Sequence, residues 1–392
     1  MSENKTNSSS RRIKMGMIGG GPGSFIGEVH RIAARLDNQI ELVCGAFSSD
    51  PEKSRQTGND LYLDPSRVYD DFEQMIEAEK KLPEGVRMDF VAIVTPNHMH
   101  YPPAAAALQA GFHVMSDKPA TLNLEEAKLL RNLVRESGLL YGLTHTYLGY
   151  PMVKQARAMV RDGKLGEIRK ILVEYPQGWL SQFEEGSGEN KQAEWRTDPA
   201  RSGISGAMGD IGTHAHNLSE YISGARMTQV CADINIYVPG RRLDDDGSVL
   251  FKMDNGASGT LTASQICAGE ENALKIKIYG EKGGLEWHQM MPFNLIYKPY
   301  GAAMQTLTAG LDKNNLSAEA YAACRLPSGH PEGYLEAFAN LYTGFAEAIR
   351  AQGGKYRGHG IIGIEEGVRG MAFVEAVIKS SNSTEKWIEI EA

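Results

Sequence analysis

A glycine-rich turn between the first two apolar segments constrains the fold of this chain more than any other feature. The apolar run Ile13–Ile18 leads into this turn, a helical pattern of apolar residues follows, and a second apolar run covers Ile40–Phe47. Strand, glycine turn, helix and strand in this order are typical of a dinucleotide-binding unit, because glycines let the backbone approach the pyrophosphate and helix-start amides meet its charge. We therefore predict a doubly wound parallel sheet. The turn residues assigned to the cofactor are Gly19, Gly21, Gly23, Ser24 and Phe25.

Two positions depart from the usual dinucleotide fingerprint. Ser24 occupies the place of the third glycine, and Ser48 occupies the place of the acid that takes the ribose hydroxyls of NAD. Asp50 follows two positions later, and Lys53 is close enough in sequence to receive the 2′-phosphate of NADP. We assign Ser48 and Ser49 to the cofactor, favour NAD, and leave NADP open.

Two further apolar runs end in polar segments that should face the same ligand. Asp89–Val94 leads into Thr95-Pro96-Asn97-His98-Met99-His100, and Phe112–Met115 leads into Ser116-Asp117-Lys118-Pro119. Loops at the carboxyl ends of parallel strands line the ligand crevice of a doubly wound sheet. The residues that we expect to border the cofactor from these loops are Thr95, Asn97, His98, His100, Asp117 and Lys118.

A carboxylate and an imidazole stand four residues apart in the segment Gly206–Asn217. If the chain enters a helix after Gly209, Asp210 and His214 share one face of it. A neighbouring carboxylate can orient an imidazole and stabilise its charged form near neutral pH, so the two residues could act as an acid and base pair. For the spacing taken alone, an ordinary helical Asp and His pair is the alternative interpretation.

Four short motifs together resemble those of one protein family. They are Gly19-x-Gly21, Thr95-Pro96-Asn97-x-x-His100, Asp117-Lys118-Pro119 and Asp210-x-Gly212-x-His214. The set is similar to that of the glucose-fructose oxidoreductase, inositol dehydrogenase and MocA (Gfo/Idh/MocA) family of NAD(P)-dependent sugar and cyclitol oxidoreductases. The resemblance covers nearly the whole chain, and the combination is far more specific than any single motif.

The resemblance implies which residues carry the chemistry. It places Lys118, Asp210 and His214 together at the nicotinamide as catalytic residues. The chain departs from the family pattern in two places: Asp117 replaces the usual Glu of the lysine motif, and Asn217 stands where the last motif often ends in Asp. The first change keeps a carboxylate but shortens its reach, and the second removes a charge.

The second half of the chain has a different pattern, in which strands are joined by short turns. The strand candidates are Glu167–Tyr175, Gln229–Val238, Ser248–Met253, Ala257–Ser264, Ala273–Tyr279 and Gly284–His288. Short turns between successive strands predict an antiparallel sheet. Helices predicted over Gly333–Ala351 and Ile364–Lys379 should close the structure, and they could pack back on the first domain.

These patterns divide the chain into a disordered lead-in and two domains. The polar residues 1–12 form the lead-in, residues 13–148 form a dinucleotide-binding Rossmann domain, and residues 149–392 form an α+β domain with a large, mostly antiparallel open sheet. The resemblance implies that this sheet carries the substrate side and part of a subunit interface. We therefore expect a homo-oligomer, a dimer or a tetramer.

Several side chains outside the apolar pattern are candidates for binding a carbohydrate or cyclitol, beside Lys118, Asp210 and His214. Tyr147 follows a predicted strand and could border the crevice, while Trp179 could offer an apolar face to a sugar ring. Arg196 could bind an anion or hydroxyl groups, and His330 stands just before a predicted helix. Packing, ion pairing and helix capping are the alternative roles of these side chains.

Composition argues against several classes of partner. The 41 Lys and Arg residues against 49 Asp and Glu residues give a formal charge of −8, and no basic cluster stands out, so nucleic acid and anionic membranes are poor candidates. No apolar window approaches the roughly eighteen residues of a membrane span. The four scattered cysteines fit a reduced, cytoplasmic setting. Hydride transfer to a nicotinamide needs no metal, so none is expected.

Three functions are compatible with these patterns. The first is NAD(P)-dependent hydride transfer from a secondary alcohol of a sugar, glycoside or cyclitol, in which His214 acts as general base, Lys118 polarises the oxygen and Asp210 orients His214 and the substrate. The second is a redox-assisted glycosidase or epimerase that keeps NAD tightly bound and passes through a 3-keto intermediate. The third is a non-catalytic NAD(P)-sensing protein on the same fold, which the presence of Lys118 and His214 disfavours.

Overall fold

The first half of the chain folds around a five-stranded parallel sheet of order β2-β1-β3-β4-β5. The structure is a computed structural model that describes residues 11–186, 188, 190–351 and 361–392. The strands are β1 Ile13–Gly19, β2 Ile40–Ala46, β3 Phe90–Val94, β4 His113–Ser116 and β5 Tyr141–Leu143. The helices are α1 Phe25–Leu36, α2 Pro51–Asp60, α3 Phe72–Lys81, α4 Tyr101–Gln109 and α5 Leu124–Ser137. The predicted doubly wound parallel sheet is confirmed.

The turn between β1 and α1 brings backbone against backbone. Ser24 caps the helix, since its Oγ accepts a hydrogen bond from the amide of Gly27 at 3.2 Å. A Cβ on Gly27 would lie 2.3 Å from the Cα of Gly20, so no larger residue fits there. Close packing of this kind is the task of the third glycine in a dinucleotide fingerprint. Gly27 performs it, three positions after the place where the sequence has Ser24.

The second half contains a nine-stranded sheet of order β13-β12-β11-β10-β6-β9-β8-β7-β14. Its strands are β6 Ile168–Pro176, β7 Met227–Asn235, β8 Asp246–Met253, β9 Ser258–Ser264, β10 Lys275–Gly280, β11 Gly283–His288, β12 Asn294–Pro299, β13 Gln305–Thr308 and β14 Ile388–Glu389. All neighbouring strands in this order are antiparallel except β6 and β9. The predicted large, mostly antiparallel sheet is confirmed, although β12, β13 and β14 were not predicted.

Helices cover one face of the second sheet. The helices of this half are α6 Pro151–Arg161, α7 Lys191–Arg196, α8 Pro199–Ser202, α9 Thr213–Ser223, α10 Ala318–Ala322, α11 Tyr334–Arg350 and α12 Ile364–Asn382. Of these, α6, α9 and α12 contact the sheet strands. Strand β8 alternates buried and exposed residues along its length, as expected of a strand with one face against helices and one face open.

The last two long helices pack against the first half of the chain. Helix α11 contacts α1 and the short turn Thr146–Gly149, and α12 contacts α5 as well as β7. The Nδ1 of His30 on α1 lies 2.6 Å from the hydroxyl of Tyr342 on α11. A Cβ on Gly149 would lie 1.8 Å from the carbonyl oxygen of Ala337. The two halves are therefore joined by direct backbone and side-chain contacts as well as by the chain between them.

The predicted disordered lead-in falls largely on residues 1–10, which lie outside the described residues. Arg11 is described, and its guanidinium forms two hydrogen bonds of 2.6 Å with the carboxylate of Asp89. In the part of the chain that the structure describes, no helix is both long enough and apolar enough to cross a membrane.

Candidate active site

A cleft of about 1280 Å³ lies between the carboxyl edge of the parallel sheet and the second half of the chain. Pockets for one small ligand usually have volumes of roughly 300–1,000 Å³, so this cleft has room for a dinucleotide and a second ligand. Most residues predicted from the sequence line it: Gly19, Gly21, Gly23, Ser24, Phe25, Ser48, Ser49, Thr95, Asn97, His98, Asp117, Lys118, Tyr147, Trp179, Arg196, Asp210 and His214.

Two residues that the sequence assigned to ligands do not line the cleft. His100 is buried, with Nδ1 2.6 Å from the carbonyl oxygen of Pro119 and Nε2 2.8 Å from that of Thr95. It thus joins the two loops that follow β3 and β4, in place of the predicted contact with the cofactor. His330 is exposed in the turn before α11, where its Nδ1 lies 3.2 Å from the carbonyl oxygen of Pro327. It does not line the cleft, so the predicted contact with the substrate is absent from this arrangement of the described residues.

Lys118 and Asp210 meet across the cleft. Lys118 follows β4 on the first sheet, and its ammonium donates to the Asp210 carboxylate at 2.6 Å and to the Asp210 backbone carbonyl at 2.9 Å. The side chains are 15% and 17% exposed, respectively. Two of the three ammonium hydrogens are thereby engaged. The third is left for an oxygen atom of a bound ligand.

A single π-helical turn over Met208–Gly212 carries Asp210 and continues into α9. The sequence predicted an ordinary helix here. The buried carboxylate of Asp244 fixes the start of the turn, since it accepts from the amides of Gly206 and Met208, both at 2.8 Å. Turns of this type are rare and are frequently found at functional sites. The Asp210 carbonyl within it is one of the two groups that bind Lys118.

The carboxylate of Asp210 forms its hydrogen bonds and ion pairs with residues other than His214. Beside Lys118, it accepts from Gln265 Nε2 at 2.9 Å and lies 3.5 Å from Arg196 Nε. Burial opposes its ionisation, but the charges of Lys118 and Arg196 outweigh burial and hold the pKa of the carboxyl well below its usual range. Asp210 is therefore a permanent anion that fixes two cations at neutral pH.

His214 is oriented by a second histidine. Its Nδ1 lies 3.0 Å from Nδ1 of His145, and the two rings meet edge to face with centroids 5.0 Å apart. The hydroxyl of Tyr147 lies 2.8 Å from the same His145 nitrogen and donates to Asn217 Oδ1 at 3.0 Å. Because Nδ1 of His214 is engaged with His145, Nε2 is the ring nitrogen left for a ligand in the cleft.

Both histidines of this pair are neutral at neutral pH. Burial lowers the pKa of His145 to about 3, with a smaller contribution from Lys118. Burial and the charge of Lys118 also lower the pKa of His214 well below its usual value, and Asp210 offsets this only in part. A neutral imidazole beside a cation has a lone pair that can accept a proton from a bound hydroxyl group.

Polar residues that sequence reasoning missed form the wall nearest Asp210. The hydroxyl of Tyr175 and Nε2 of Gln177 both donate to Asn272 Oδ1, at 2.6 and 2.8 Å. Gln177 and Gln265 follow β6 and β9, whose last residues pair in parallel register. Carboxyl ends of parallel strands share an edge, so a predicted parallel pair would have brought these glutamines together. The prediction of an antiparallel sheet concealed that signal.

Trp179 and Arg196, both predicted to bind the substrate, differ in how many contacts they already make. Trp179 donates from Nε1 to Gln177 Oε1 at 3.0 Å and lines the cleft. The guanidinium of Arg196 lies 4.2 Å from the ring centroid of Trp195 and contacts Gln192. Arg196 is thus held by an aromatic face, an amide and Asp210, which makes it a structural part of the wall as much as a ligand-binding group.

The first-domain side of the cleft fits a dinucleotide. A Cβ on Gly21 would lie 2.7 Å from the carbonyl oxygen of Phe47, so a larger residue does not fit at this position. The backbone of the turn therefore carries no side chain there, which lets a pyrophosphate approach it. Nδ1 of His98 is buried and has no partner within the described residues. Ser48, Ser49 and Lys53 line the far end, whereas the carboxylate of Asp50 caps α2. Across the described ranges, no group of His, Cys, Asp and Glu is arranged to hold a metal ion.

Comparison with known proteins identifies relatives over the whole chain. The family model described as an oxidoreductase family with an NAD-binding Rossmann fold matches residues 13–145, and that of the GFO/IDH/MocA C-terminal domain matches residues 153–286. The oxidoreductase YfiI of Bacillus subtilis (strain 168) is 34% identical, with 97% of this chain and 98% of the relative covered.

Two solved structures resemble the fold closely. An oxidoreductase from Sinorhizobium meliloti is 45% identical with a TM-score of 0.86, covering 97% of this chain and 100% of that one. An inositol dehydrogenase homolog from Azotobacter vinelandii, solved with NADH and myo-inositol, is 34% identical with a TM-score of 0.88, covering 97% and 98%.

Proposed function

The chain belongs to the GFO/IDH/MocA family of NAD-dependent oxidoreductases, and on that premise we propose that Lys118, Asp210 and His214 oxidise a secondary alcohol of a sugar, glycoside or cyclitol. The observation that carries this proposal is the contact of Lys118 with Asp210 across the cleft that His214 also lines. Support for the substrate class comes from the Azotobacter vinelandii homolog, which was solved with a cyclitol.

In the proposed reaction the alcohol loses a hydride and a proton. Bound NAD supplies the hydride acceptor, and its pyrophosphate would be held by the glycine turn and by Ser24. Nε2 of His214 takes the hydroxyl proton, while the remaining N–H of Lys118 donates to the substrate oxygen and stabilises the negative charge that develops there. Asp210 holds the Lys118 ammonium in place.

We also propose that the polar residues beside Asp210 recognise a polyol ring. Tyr175, Gln177 and Asn272 present a hydroxyl and two amides near Asp210, groups that can both donate to and accept from ring hydroxyls. Trp179 offers an apolar ring face beside them. A mixture of neutral hydrogen-bonding groups and one aromatic face suits an uncharged polyhydroxylated ring.

The test is a substrate screen. Monosaccharides, cyclitols and glycosides are incubated with the protein and NAD, and both NADH absorbance and the NMR spectrum of the products are recorded. NADH formed together with a ketone is the expected result. Product formed without net NADH would instead identify an epimerase or redox-assisted glycosidase. A broad screen with neither product nor NADH would contradict the proposed activity.

We further propose that two or more copies associate through the open face of the second sheet. Cys231, Leu250, Thr260 and Leu172 are cross-strand neighbours on adjacent strands of that face, and Leu250 is 49% exposed. A row of this kind, apolar except for Thr260, on the sheet face that has no helix layer favours association. Light scattering after gel filtration should give a dimer or tetramer, and Leu250→Glu should shift it toward monomer, whereas a monomeric wild-type protein would contradict the proposal.

We also propose that the protein works in the cytoplasm. Its four cysteines are free thiols, and Cys44 is fully buried in the core. Free thiols are maintained in reducing compartments. Fractionation of the source cells, followed by immunodetection, should place the protein with cytoplasmic markers.

A further inference from the structure

The cations that line the cleft differ in what they contact. They are Lys53, Lys118, Lys191, Arg196 and Arg201. Lys53 lies 3.4 Å from Asp50, and both Lys118 and Arg196 contact Asp210. Within the described residues, the side chains of Lys191 and Arg201 form no hydrogen bond or ion pair. Lys191 is exposed to solvent, but Arg201 is half-buried. A half-buried arginine side chain that contacts no acid has a positive charge available to a bound anion.

Arg201 reaches the cleft from a segment that is docked on the first domain. Asn97 Nδ2, in the loop after β3, donates to the carbonyl oxygen of Ser202 at 3.0 Å. A Cβ on Gly203 would lie 2.8 Å from the carbonyl oxygen of Leu122, in the loop after β4. The helical turn that carries Arg201 is therefore held on both sides by loops at the carboxyl edge of the parallel sheet. That edge is where a doubly wound sheet binds its dinucleotide.

A second unpartnered polar group lies in the same place. His98 is the residue after Asn97, it lines the cleft, and its buried Nδ1 has no hydrogen-bond partner among the described residues. One cation and one imidazole nitrogen are thus left without partners where the two halves of the chain meet. Both are suited to phosphate oxygens.

We propose that Arg201 binds the pyrophosphate of the dinucleotide, so that the second domain completes the cofactor site. The pyrophosphate is the one anionic group of NAD, and the side chains of the glycine turn that line the cleft are uncharged: Pro22, Ser24, Phe25 and Ile26. Arg31 of α1 lies beside the turn, but it donates to the carbonyl oxygen of Gly20 at 2.7 Å and does not line the cleft. Arg201 supplies the missing positive charge. The inference rests on NAD binding by the family fold and is independent of the proposed catalytic residues.

Calorimetric titration of the full-length protein with NAD⁺ and with ADP-ribose, which keeps the pyrophosphate but lacks nicotinamide, tests the proposal. Arg201→Gln should weaken both ligands by about tenfold or more, as expected for the loss of a charge-assisted hydrogen bond. Arg201→Lys should recover part of that loss. Arg242→Gln is the matched control, because Arg242 pairs with Asp198 beside the same helical turn at 2.9 Å and is 64% exposed. It should change neither affinity.

Three results would overturn the assignment. Unchanged affinity of Arg201→Gln for ADP-ribose would do so, and a raised substrate KM in that variant would then assign the cation to the substrate. If Arg242→Gln weakened the binding of both ligands equally, the effect would come from the general surface charge and not from Arg201. Weaker binding with a lowered melting temperature in Arg201→Gln, and no recovery in Arg201→Lys, would assign Arg201 to folding. Titration with ADP-ribose needs no turnover, so an unidentified substrate does not affect the outcome.

Discussion

Replacing Lys118 by methionine isolates the contribution of its charge, because the two side chains have similar length. Lys118→Met removes the bonds to the Asp210 carboxylate and carbonyl, at 2.6 and 2.9 Å, and the donor proposed for the substrate oxygen. Loss of one donor to a developing oxyanion costs about 2.7–4 kcal/mol, or about 10²–10³ in rate. We expect kcat/KM to fall by that factor.

The cost in stability should be smaller than for a fully buried ion pair. Removing one partner of a buried pair costs about 3–5 kcal/mol, but Lys118 and Asp210 are 15% and 17% exposed, and Asp210 keeps Gln265 at 2.9 Å. A loss of about 1–3 kcal/mol is therefore expected. Urea denaturation of wild type and variant measures it.

The assay compares kcat/KM for the alcohol found in the screen with NAD⁺ affinity from calorimetry. Affinity for NAD⁺ should change by less than about threefold, because its pyrophosphate and adenosine are held elsewhere on the carboxyl edge of the sheet. Lys128→Met, on the exposed face of α5 where Lys128 pairs with Glu125 at 3.4 Å, serves as the control. A folded Lys118→Met protein with wild-type kcat/KM would refute the reasoning. Lost NAD⁺ binding would instead make Lys118 a cofactor anchor.

Three further predictions concern His145, His30 and Gly149. His145→Leu removes the ring partner of His214, so kcat should fall by about tenfold to a hundredfold with little change in KM; an unchanged kcat would exclude the pairing from catalysis. Burial lowers the pKa of His30 to about 4, below an unfolded value of about 6.5, so His30 alone should lower the free energy of unfolding by about 2 kcal/mol as pH falls from about 6.5 to about 5, in addition to the effects of His145 and His214. His30→Phe should reduce the pH dependence in urea titrations by that amount, and an equal slope in both proteins would contradict it. Gly149→Ala should cost about 3 kcal/mol or more, measured by urea denaturation, because its Cβ would meet the Ala337 carbonyl at 1.8 Å; a neutral effect would disprove that close approach.

The first domain could be predicted from the sequence because its signals are local. Apolar runs, the glycine turn and the polar loops after β3 and β4 specify a parallel sheet and its ligand edge without knowledge of distant contacts. The sequence analysis did not predict the role of Gly27 as the third glycine of the fingerprint. A fixed spacing rule looks for the third glycine at Ser24, whereas the longer turn moves the close backbone contact by three residues.

The second domain was harder to predict because its partners are distant in sequence. The parallel pairing of β6 with β9 joins residues nearly ninety positions apart, as in the pair of Leu172 with Thr260, and no turn signal marks it. The orientation of His214 is a similar case. Its spacing from Asp210 favoured a contact within one segment, but the structure binds Asp210 to Lys118 and His214 to His145, both from the first half of the chain. Neither pairing has a local sequence signature.

The packing of α11 against the parallel sheet also bears on how the protein is made. Phe345 of α11 stacks edge to face on Phe90 of β3 with centroids 5.3 Å apart, and Tyr342 meets His30. During synthesis the strands of the parallel sheet leave the ribosome long before these aromatic rings are translated, so one flank of the sheet stays uncovered until α11, Tyr334–Arg350, has been made. Nascent chains with such an open flank are prone to aggregate. The order of translation thus leaves the first domain without part of its cover, because that cover is supplied by a helix nearly two hundred residues after its last strand.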